Sequence, residues 1–430
     1  MSLRSILKYA LVDVAPLRSN TKFRRFWLAQ AVSSVGSQMG VFAVALQVYR
    51  VTHSAFAVGA VGVFAAVPML SLGMFGGTIA DSFDRRRLLL VTGGLSTALS
   101  GIFALQAFAS ADTVLAVYPL VAAQAAIGAI QVPARRSIVP SIVAREELPA
   151  AVTLGTLSLF MAQVIGPLVA GVIVASTQLG VCYAVNAASF LIATYAVFRL
   201  AEVPRPSSPT ASRGQLVREA IEFILGSPIL KATFAADLSL TVLGLPTALM
   251  PVINGDFFDG DPRSLGLLLA ATAAGGVVGS LLSGFVRNAH RPGRAMLSCC
   301  AVWGGLAIGF AMSRSLVLSV PLLVVMGAMD ALAVTFCNVI AQTVTPDEVQ
   351  GRVVAAEWAI NVSGPQVGGL RAGAVASLTS PATSVIIGGI CAVAGVGVIV
   401  LRLPQLVGYR AARRGECDPE DMPVESTPTT

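Results

Sequence analysis

The chain has 430 residues, of which 55% are hydrophobic and only 12% are charged, and its formal net charge is +7. A soluble globular protein usually carries about 25% charged residues, so this composition leaves too little polar surface for a water-exposed globule and predicts burial in a lipid bilayer. The positive charge lies in short arginine clusters between long apolar runs, which excludes the polar basic face that a nucleic-acid partner would need.

Twelve apolar runs follow a basic N-terminal tail at residues 1–25. A membrane-spanning helix needs roughly 20 mostly apolar residues, and each run is long enough. The runs fall near residues 26–49, 57–80, 88–110, 113–133, 150–176, 180–200, 229–253, 264–286, 294–312, 316–338, 352–376 and 383–402. The predicted fold is therefore an all-α membrane protein with twelve transmembrane helices. A polar tail at 403–430 is predicted to be disordered.

The spacing of the runs predicts two six-helix bundles, at residues 26–200 and 229–402, joined by a central loop at 201–228. This loop begins with a stiff proline-rich linker and continues with apolar residues at helical spacing. The pattern indicates an amphipathic helix on the membrane surface. A connector packed against the bundle is the simpler interpretation, and a binding site is the alternative.

The arginines and lysines of the loops predict which side of the membrane each loop faces, because cytoplasmic loops carry an excess of these residues. Six of them lie in the N-terminal tail: Arg4, Lys8, Arg18, Lys22, Arg24 and Arg25. Alternate loops after the tail hold most of the others, whereas the opposite loops hold only Arg50, Arg263 and Arg314. Both termini and the central loop are therefore predicted to be cytoplasmic.

The two groups of runs share a glycine–proline motif. Gly166, Pro167 and Gly171 lie in the fifth run, and Gly364 and Pro365 lie in the eleventh. Transporters are often built from such repeats, with the substrate site at their interface. Glycine permits close helix packing and proline removes a backbone hydrogen bond, so these residues are predicted to bend and pack helices. In the eighth run, glycines at 275, 276 and 279 have a spacing that also favours close helix contact.

The loop between the second and third runs resembles a signature of the major facilitator superfamily. The matching glycine, aspartate and basic pair are Gly77, Asp81, Arg85 and Arg86. The sequence departs from the signature at residues 82 and 84, where serine and aspartate replace a basic residue and a glycine. Further stretches resemble the branch that includes the enterobactin exporter and macrolide-efflux proteins. They are residues 16–18, 32–36, 43–46, 133–135, 139–140 and 351–353.

This resemblance implies a central cavity between two halves, lined by the first, fourth, seventh and tenth helices. It also implies a cytoplasmic gate where the loop motif engages the facing half. Glu357, one turn inside the eleventh run, is the candidate partner for the basic cluster of that motif. A local pair with Arg352 is the alternative for Glu357.

Two acidic residues fall inside predicted spans, Asp237 in the seventh and Asp330 in the tenth. A charge at the centre of a span costs roughly 2.5–3.5 kcal/mol, and removal from water favours the protonated carboxyl group. The two acids are therefore candidates for proton coupling or for holding a cationic group. The alternative is that each is hydrogen-bonded structurally or faces cytoplasmic water.

Uncharged polar residues in the spans are candidates for lining the cavity. Ser34 and Gln38 lie four residues apart on one helix face, and Gln124 and Asn338 lie in the fourth and tenth runs. Such residues hydrogen-bond a substrate or, equally, bridge neighbouring helices. Arg371, deeper in the eleventh run, is assigned no role.

The sequence lacks the motifs of an enzyme. His53 and His290 are its two histidines, and it contains neither H-E-x-x-H, G-x-S-x-G nor G-x-x-x-x-G-K. Its six cysteines have no metal-ligand spacing. No enzymatic activity, cofactor or metal is therefore predicted.

The predicted function is secondary transport in a bacterial inner membrane by a multi-pass protein, expected to be a monomer. The substrate is a partly apolar small molecule such as a siderophore, a macrolide or another drug-like compound, exported by proton-coupled alternating access. An importer of the same fold is the nearest alternative, because sequence does not set direction. A non-transporting receptor or a lipid scramblase is the alternative from another class.

Overall fold

The computed structural model describes residues 13–82, 84–109, 114–200, 222–243 and 247–409. The start of the basic tail, most of the central loop with its predicted amphipathic helix, and the tail from residue 410 onward lie outside the described residues. Within the described ranges the chain is helical and contains no β-strand.

In the described part of the chain, twelve long helices form the bundle, and short helical segments connect or flank them. The long helices are α1 (Thr21–Thr52), α2 (Ala55–Ser82), α3 (Arg85–Phe108), α4 (Val114–Ile142), α5 (Leu148–Ser176), α6 (Leu179–Phe198), α7 (Pro228–Leu243), α8 (Pro262–Leu282), α9 (Pro292–Met312), α10 (Leu316–Val344), α11 (Asp347–Leu378) and α12 (Pro381–Arg402). The short segments are Ala15–Ser19, Arg145–Glu147, Thr247–Leu249, Met250–Phe257, Ser283–Asn288 and Pro404–Gly408.

Eleven of the described helical segments are long and apolar enough to cross a membrane. The twelfth span is α11, whose 32 residues exceed the necessary length although Gln366 and Arg371 make it more polar. Arg371 donates a hydrogen bond from Nη2 to the backbone carbonyl of Leu243 over 2.9 Å. A polar side chain of α11 therefore finds a partner inside the bundle, and the prediction of twelve spans is confirmed.

Polar residues set the beginnings of several helices. The side chain of Asn20 accepts a hydrogen bond from the backbone of Phe23 at the start of α1, and Asp84 accepts one from Arg87 at the start of α3. Such caps satisfy backbone donors that have no partner within the helix. As a result α1 begins at Thr21 rather than at the predicted residue 26, because hydropathy detects the apolar middle of a helix and not its polar ends.

Among the other boundaries that differ from the prediction, two concern prolines. The fourth helix continues past Pro133 and Pro140 to Ile142, because a membrane helix tolerates proline where its neighbours satisfy the freed backbone group. The seventh span was predicted to end at residue 253, and the stretch Pro228–Phe257 is long and apolar enough for one span. Its described residues form α7, the segment Thr247–Leu249 and the helix Met250–Phe257. A proline in the first turn of that helix suits its start, where the missing N–H is not needed.

The two halves of the bundle repeat one pattern of helix neighbours. In the N-terminal half, α1 packs against α5 and α6, α2 packs against α4, and α3 packs against α4 and α6. In the C-terminal half, α7 packs against α11 and α12, α8 packs against α10, and α9 packs against α10 and α12. Each of these five contacts of the first half has its counterpart six helices later, so the predicted pair of pseudo-symmetric bundles is confirmed.

The halves contact each other where α2 meets α11 and where α5 meets α8. A Cβ atom built on Gly59 or Gly373 would lie 2.5 Å from a backbone carbonyl oxygen of the facing helix, and the same holds for Gly171 and Gly266. Backbone atoms cannot move aside, so only glycine permits this approach. All four glycines lie towards the end of the bundle that carries the α1–α2, α5–α6 and α11–α12 loops, which the arginine distribution predicts to face away from the cytoplasm.

Replacing Gly373 by Val is expected to separate this end of the bundle, because the new side chain would overlap the backbone of Ala55. Spin labels on His53 and Thr379, both exposed at this end, report the separation by double electron–electron resonance in a variant without the native cysteines. The distance distribution should shift to longer values. Gly397→Val on α12 is the matched control, since a Cβ there meets no described atom within 4 Å. An unchanged distribution for Gly373→Val would contradict this view of the contact.

Candidate functional site

A cavity of about 890 Å³ lies between the two halves. All six helices of the N-terminal half contribute to its wall, and α8, α10, α11 and the segment after α7 supply the facing side. Cavities of this size hold drug-sized ligands. The resemblance implied walls from the first, fourth, seventh and tenth spans. The first, fourth and tenth supply lining residues, and the seventh does so through Thr247, Ala248 and Pro251, which follow α7. The second, third, fifth, sixth, eighth and eleventh spans supply further ones.

Three of the predicted polar residues lie on the cavity wall: Gln38 on α1, Gln124 on α4 and Asp330 on α10. Gln124 also donates a hydrogen bond from Nε2 to the hydroxyl of Ser96 on α3 over 3.2 Å. Its Oε1 atom is buried and has no hydrogen-bond partner among the described residues. Gln124 therefore keeps one unused acceptor, which a change of its side-chain rotamer would bring to a hydrogen-bond donor in the cavity.

Two other predicted cavity residues are not among the described lining residues. The hydroxyl of Ser34 donates to the carbonyl of Gln30 over 2.8 Å, and the side-chain amide of Asn338 donates to the carbonyl of Val334 over 3.0 Å. Each side chain is thus bonded to its own helix one turn earlier. Helical spacing alone could not distinguish this local bond from a bond to a substrate.

Asp237 lies behind the cavity wall rather than on it. Its side chain is only 1% exposed, and its Oδ2 atom has no hydrogen-bond partner among the described residues. The carboxyl groups of Asp330 and Glu357 are close enough to interact electrostatically with Asp237. Asp237 on α7, Asp330 on α10 and Glu357 on α11 therefore form a cluster of three carboxyl groups inside the C-terminal half.

Glu357, predicted as the gate partner of the basic loop motif, is 4% exposed and lies within electrostatic reach of Asp237 in its own half. Nη1 of Arg85 donates to the carbonyl of Ser137 over 2.9 Å, and Nη2 of Arg86 donates to the carbonyl of Phe198 over 2.7 Å. Both arginines thus bind carbonyls of the N-terminal half in this conformation.

Gly77 and Asp81, the other predicted gate residues, lie in the last turns of α2. The structure describes residues 73–82 by their backbone only, and the side chains of this stretch lie outside its described part. The pairing of this motif with the facing half stays a prediction.

The N-terminal half contains polar residues that the sequence did not single out. The hydroxyl of Tyr183 on α6 donates to Oε1 of Gln47 over 2.8 Å, and Nδ2 of Asn186 on α6 donates to the hydroxyl of Ser100 on α3 over 3.2 Å. Tyr183, Asn186 and Ser100 all line the cavity. Their polarity within apolar runs was a usable signal, but the expectation that only four helices line the cavity directed attention away from α3 and α6.

The two glycine–proline motifs occupy corresponding places in the halves. A Cβ atom on Gly166 of α5 would lie 2.5 Å from Cβ of Gln38 on α1. One on Gly364 of α11 would lie 2.7 Å from Oγ1 of Thr241 on α7. Each glycine therefore packs against the first helix of its own half, and Pro167 reaches the cavity wall. Pro365 lies inside α11, as Pro167 lies inside α5.

A family model described as transmembrane secretion effector matches residues 12–419. The chain belongs to this family. Its bacterial relatives include the enterobactin exporter EntS of Citrobacter koseri, 28% identical over 96% of this chain and 99% of the relative. The enterobactin exporter EntS of Salmonella typhi is 27% identical over 94% of this chain and 96% of the relative.

Solved structures of the major facilitator type share the fold. The nucleoside transporter NupG superposes with a TM-score of 0.71 at 12% identity, covering 90% of this chain and 100% of that one. A bacterial homologue of the iron transporter ferroportin, in an inward-facing state, superposes with a TM-score of 0.65 at 15% identity, covering 90% and 99%. The family and the fold together make this chain a major facilitator transporter of the inner membrane, and not an enzyme.

Proposed function

We propose that this transporter exports a partly apolar small molecule, such as a siderophore, a macrolide or another drug-like compound, in exchange for protons. The observation that carries the proposal is Asp330 on the cavity wall, with the buried carboxyl groups of Asp237 and Glu357 within electrostatic reach. A carboxyl group in this position can hold a proton in one conformation and release it when a substrate occupies the cavity. The names of the relatives support export.

In this proposal the cavity opens alternately to the two sides of the membrane. Contacts at Gly59, Gly171, Gly266 and Gly373 close one end, and the opposite end carries the arginine-rich loops that are predicted to be cytoplasmic. Access changes when the glycine contacts separate and the cytoplasmic ends meet. The gate motif at the end of α2 then engages the C-terminal half, while Glu357 serves the proton site.

A transport assay in cells tests the proposal. Cells with and without the transporter are loaded with radiolabelled enterobactin or erythromycin, and retained label is measured before and after an ionophore collapses the proton gradient. Export predicts that transporter-bearing cells retain less label until the ionophore is added and then reach the level of control cells. Retention that is higher in transporter-bearing cells and falls on ionophore addition would instead establish import.

The rival functions predict other outcomes in purified form. A scramblase in liposomes would move a fluorescent lipid between leaflets without moving enterobactin or erythromycin across the bilayer. A receptor would bind one of these compounds and move neither lipid nor compound. Either result would contradict the proposed exchange of protons for substrate.

A further inference from the structure

The charges around the cavity are of one sign. Among the described residues that line it, Asp330 alone has a formally charged side chain, and the nearby buried groups Asp237 and Glu357 are also acidic. Two half-buried arginines on helices that line the cavity form hydrogen bonds to other groups. Arg135 donates to Oε1 of Gln30 over 2.9 Å, and Arg371 donates to a backbone carbonyl of the seventh span.

The uncharged part of the wall differs between the halves. The N-terminal half supplies aromatic rings: Phe42, Phe103, Phe160, Tyr183 and Phe190. The rings of Phe103 and Tyr183 stack with centroids 5.1 Å apart and an interplanar angle of 20°. The C-terminal half supplies small and hydroxyl-bearing residues: Thr272, Ala273, Gly276, Ser280, Ala331 and Thr335. The aromatic rings form an apolar wall against which flat aromatic groups can pack. Phe42, Phe103, Tyr183 and Phe190 are each at most 7% exposed, so their ring faces are largely covered by protein.

Two of the residues that line the cavity carry a side-chain amide whose oxygen has no hydrogen-bond partner among the described residues. Oε1 of Gln124 and Oδ1 of Asn186 are buried without hydrogen-bond partners among the described residues, and both residues line the cavity. Rotation of either amide would present N–H groups instead, so the amides fit donors and acceptors alike. The carboxyl group of Asp330 therefore decides which sign of charge the cavity accepts.

We propose that the cavity selects amphipathic aromatic cations over organic anions, with the carboxylate of Asp330 as the anchor for the positive group. The proposal rests on the proposed transport function and names its substrate class. An anion in this cavity would meet the carboxylate of Asp330 and no basic side chain among the described lining residues, and an unpaired buried charge is strongly disfavoured. A siderophore in a deprotonated, anionic form would therefore be rejected, whereas a protonated amine would be accepted.

Two ions of nearly the same shape and opposite charge test the inference: tetraphenylphosphonium and tetraphenylborate. The full-length transporter is purified in an uncharged maltoside detergent, and binding of each ion is measured by equilibrium dialysis, with protein-free micelles dialysed in parallel as background. Tetraphenylphosphonium should bind at least about tenfold more tightly than tetraphenylborate. Asp330→Asn should weaken tetraphenylphosphonium binding about tenfold, because it removes a charge-assisted contact, and should reduce the preference between the ions.

Asp256→Asn is the matched control, since this exposed residue of the same half changes the net charge equally and lies outside the described cavity wall. It should bind both ions as the unmodified transporter does. Equal binding of the two ions, tighter binding of tetraphenylborate, binding of neither, or an unaltered affinity in Asp330→Asn would each overturn the inference. Dialysis needs no proton gradient. Selective binding without export in cells would therefore reject the proposed function alone, and export without selective binding would reject the inference alone.

Discussion

Replacing Asp330 by Asn is expected to reduce gradient-driven export by about tenfold or more, while the transporter stays folded. The substitution keeps the size of the side chain and removes the carboxyl group from the cavity wall. The proposed proton site then has no carboxyl group on the described cavity wall. Loss of an interaction worth about 1.4 kcal/mol already corresponds to a tenfold effect. The measurement is the initial rate of export from cells for whichever of enterobactin and erythromycin the unmodified transporter exports.

Asp237→Asn should also impair coupling, although Asp237 does not line the cavity. Its carboxyl group interacts with those of Asp330 and Glu357, so its replacement changes the charge of the cluster when protons bind or leave. Export by this variant should depend less on external pH than export by the unmodified transporter. Size-exclusion profiles of both variants establish that they fold, and Asp256→Asn is again the control. If both variants export at the rate of the unmodified transporter and with the same dependence on pH, proton coupling through these acids is refuted.

The second large effect is expected for stability at the contact between α8 and α10. A Cβ atom on Gly275 would overlap the carbonyl oxygen of Val324 and lie 3.0 Å from the backbone nitrogen of Ala328. Both are backbone atoms, so the helices must separate to admit even a methyl group. Overpacking of this kind typically costs about 1–3 kcal/mol. Gly275→Ala should therefore lower the melting temperature clearly, as measured by the intrinsic tryptophan fluorescence of the purified transporter.

The neighbouring Gly276→Ala is the matched control for this effect. A Cβ atom on Gly276 would meet no described atom within 4 Å, because this residue faces the cavity. The melting temperature of the Gly276→Ala variant should stay close to that of the unmodified transporter. Equal melting temperatures for the two variants would contradict the packing of α8 against α10 described above.

Much of the architecture was predictable because the bilayer restricts the secondary structure and the length of each membrane-spanning segment. Each span must be a helix of sufficient apolar length, so twelve runs predicted twelve helices. The glycine–proline motifs at Gly166 and Gly364 predicted the repeat between the halves. Charge inside a span is costly, so Asp237 and Asp330 stood out without any structure.

Other features depended on which helix each face meets. Helical periodicity shows which side chains share a face but not the neighbour of that face. For this reason the sequence did not predict that Glu357 lies within electrostatic reach of Asp237. Nor did it predict that Ser34 and Asn338 form hydrogen bonds within their own helices. The positions of Tyr183 and Asn186 on the cavity wall were likewise not predicted from the sequence.

The sequence by itself thus determined that this protein lies in a membrane, how many spans it has and which acidic residues lie inside spans. These features follow from the transfer free energies of individual residues between water and lipid. Only the tertiary structure decided that Asp330 faces the cavity while Asp237 lies behind it. It also decided that α2 meets α11, and α5 meets α8, through glycines. Such arrangements depend on distances of a few ångströms between helices that are far apart in sequence, and the hydropathy of a run contains no information about those distances.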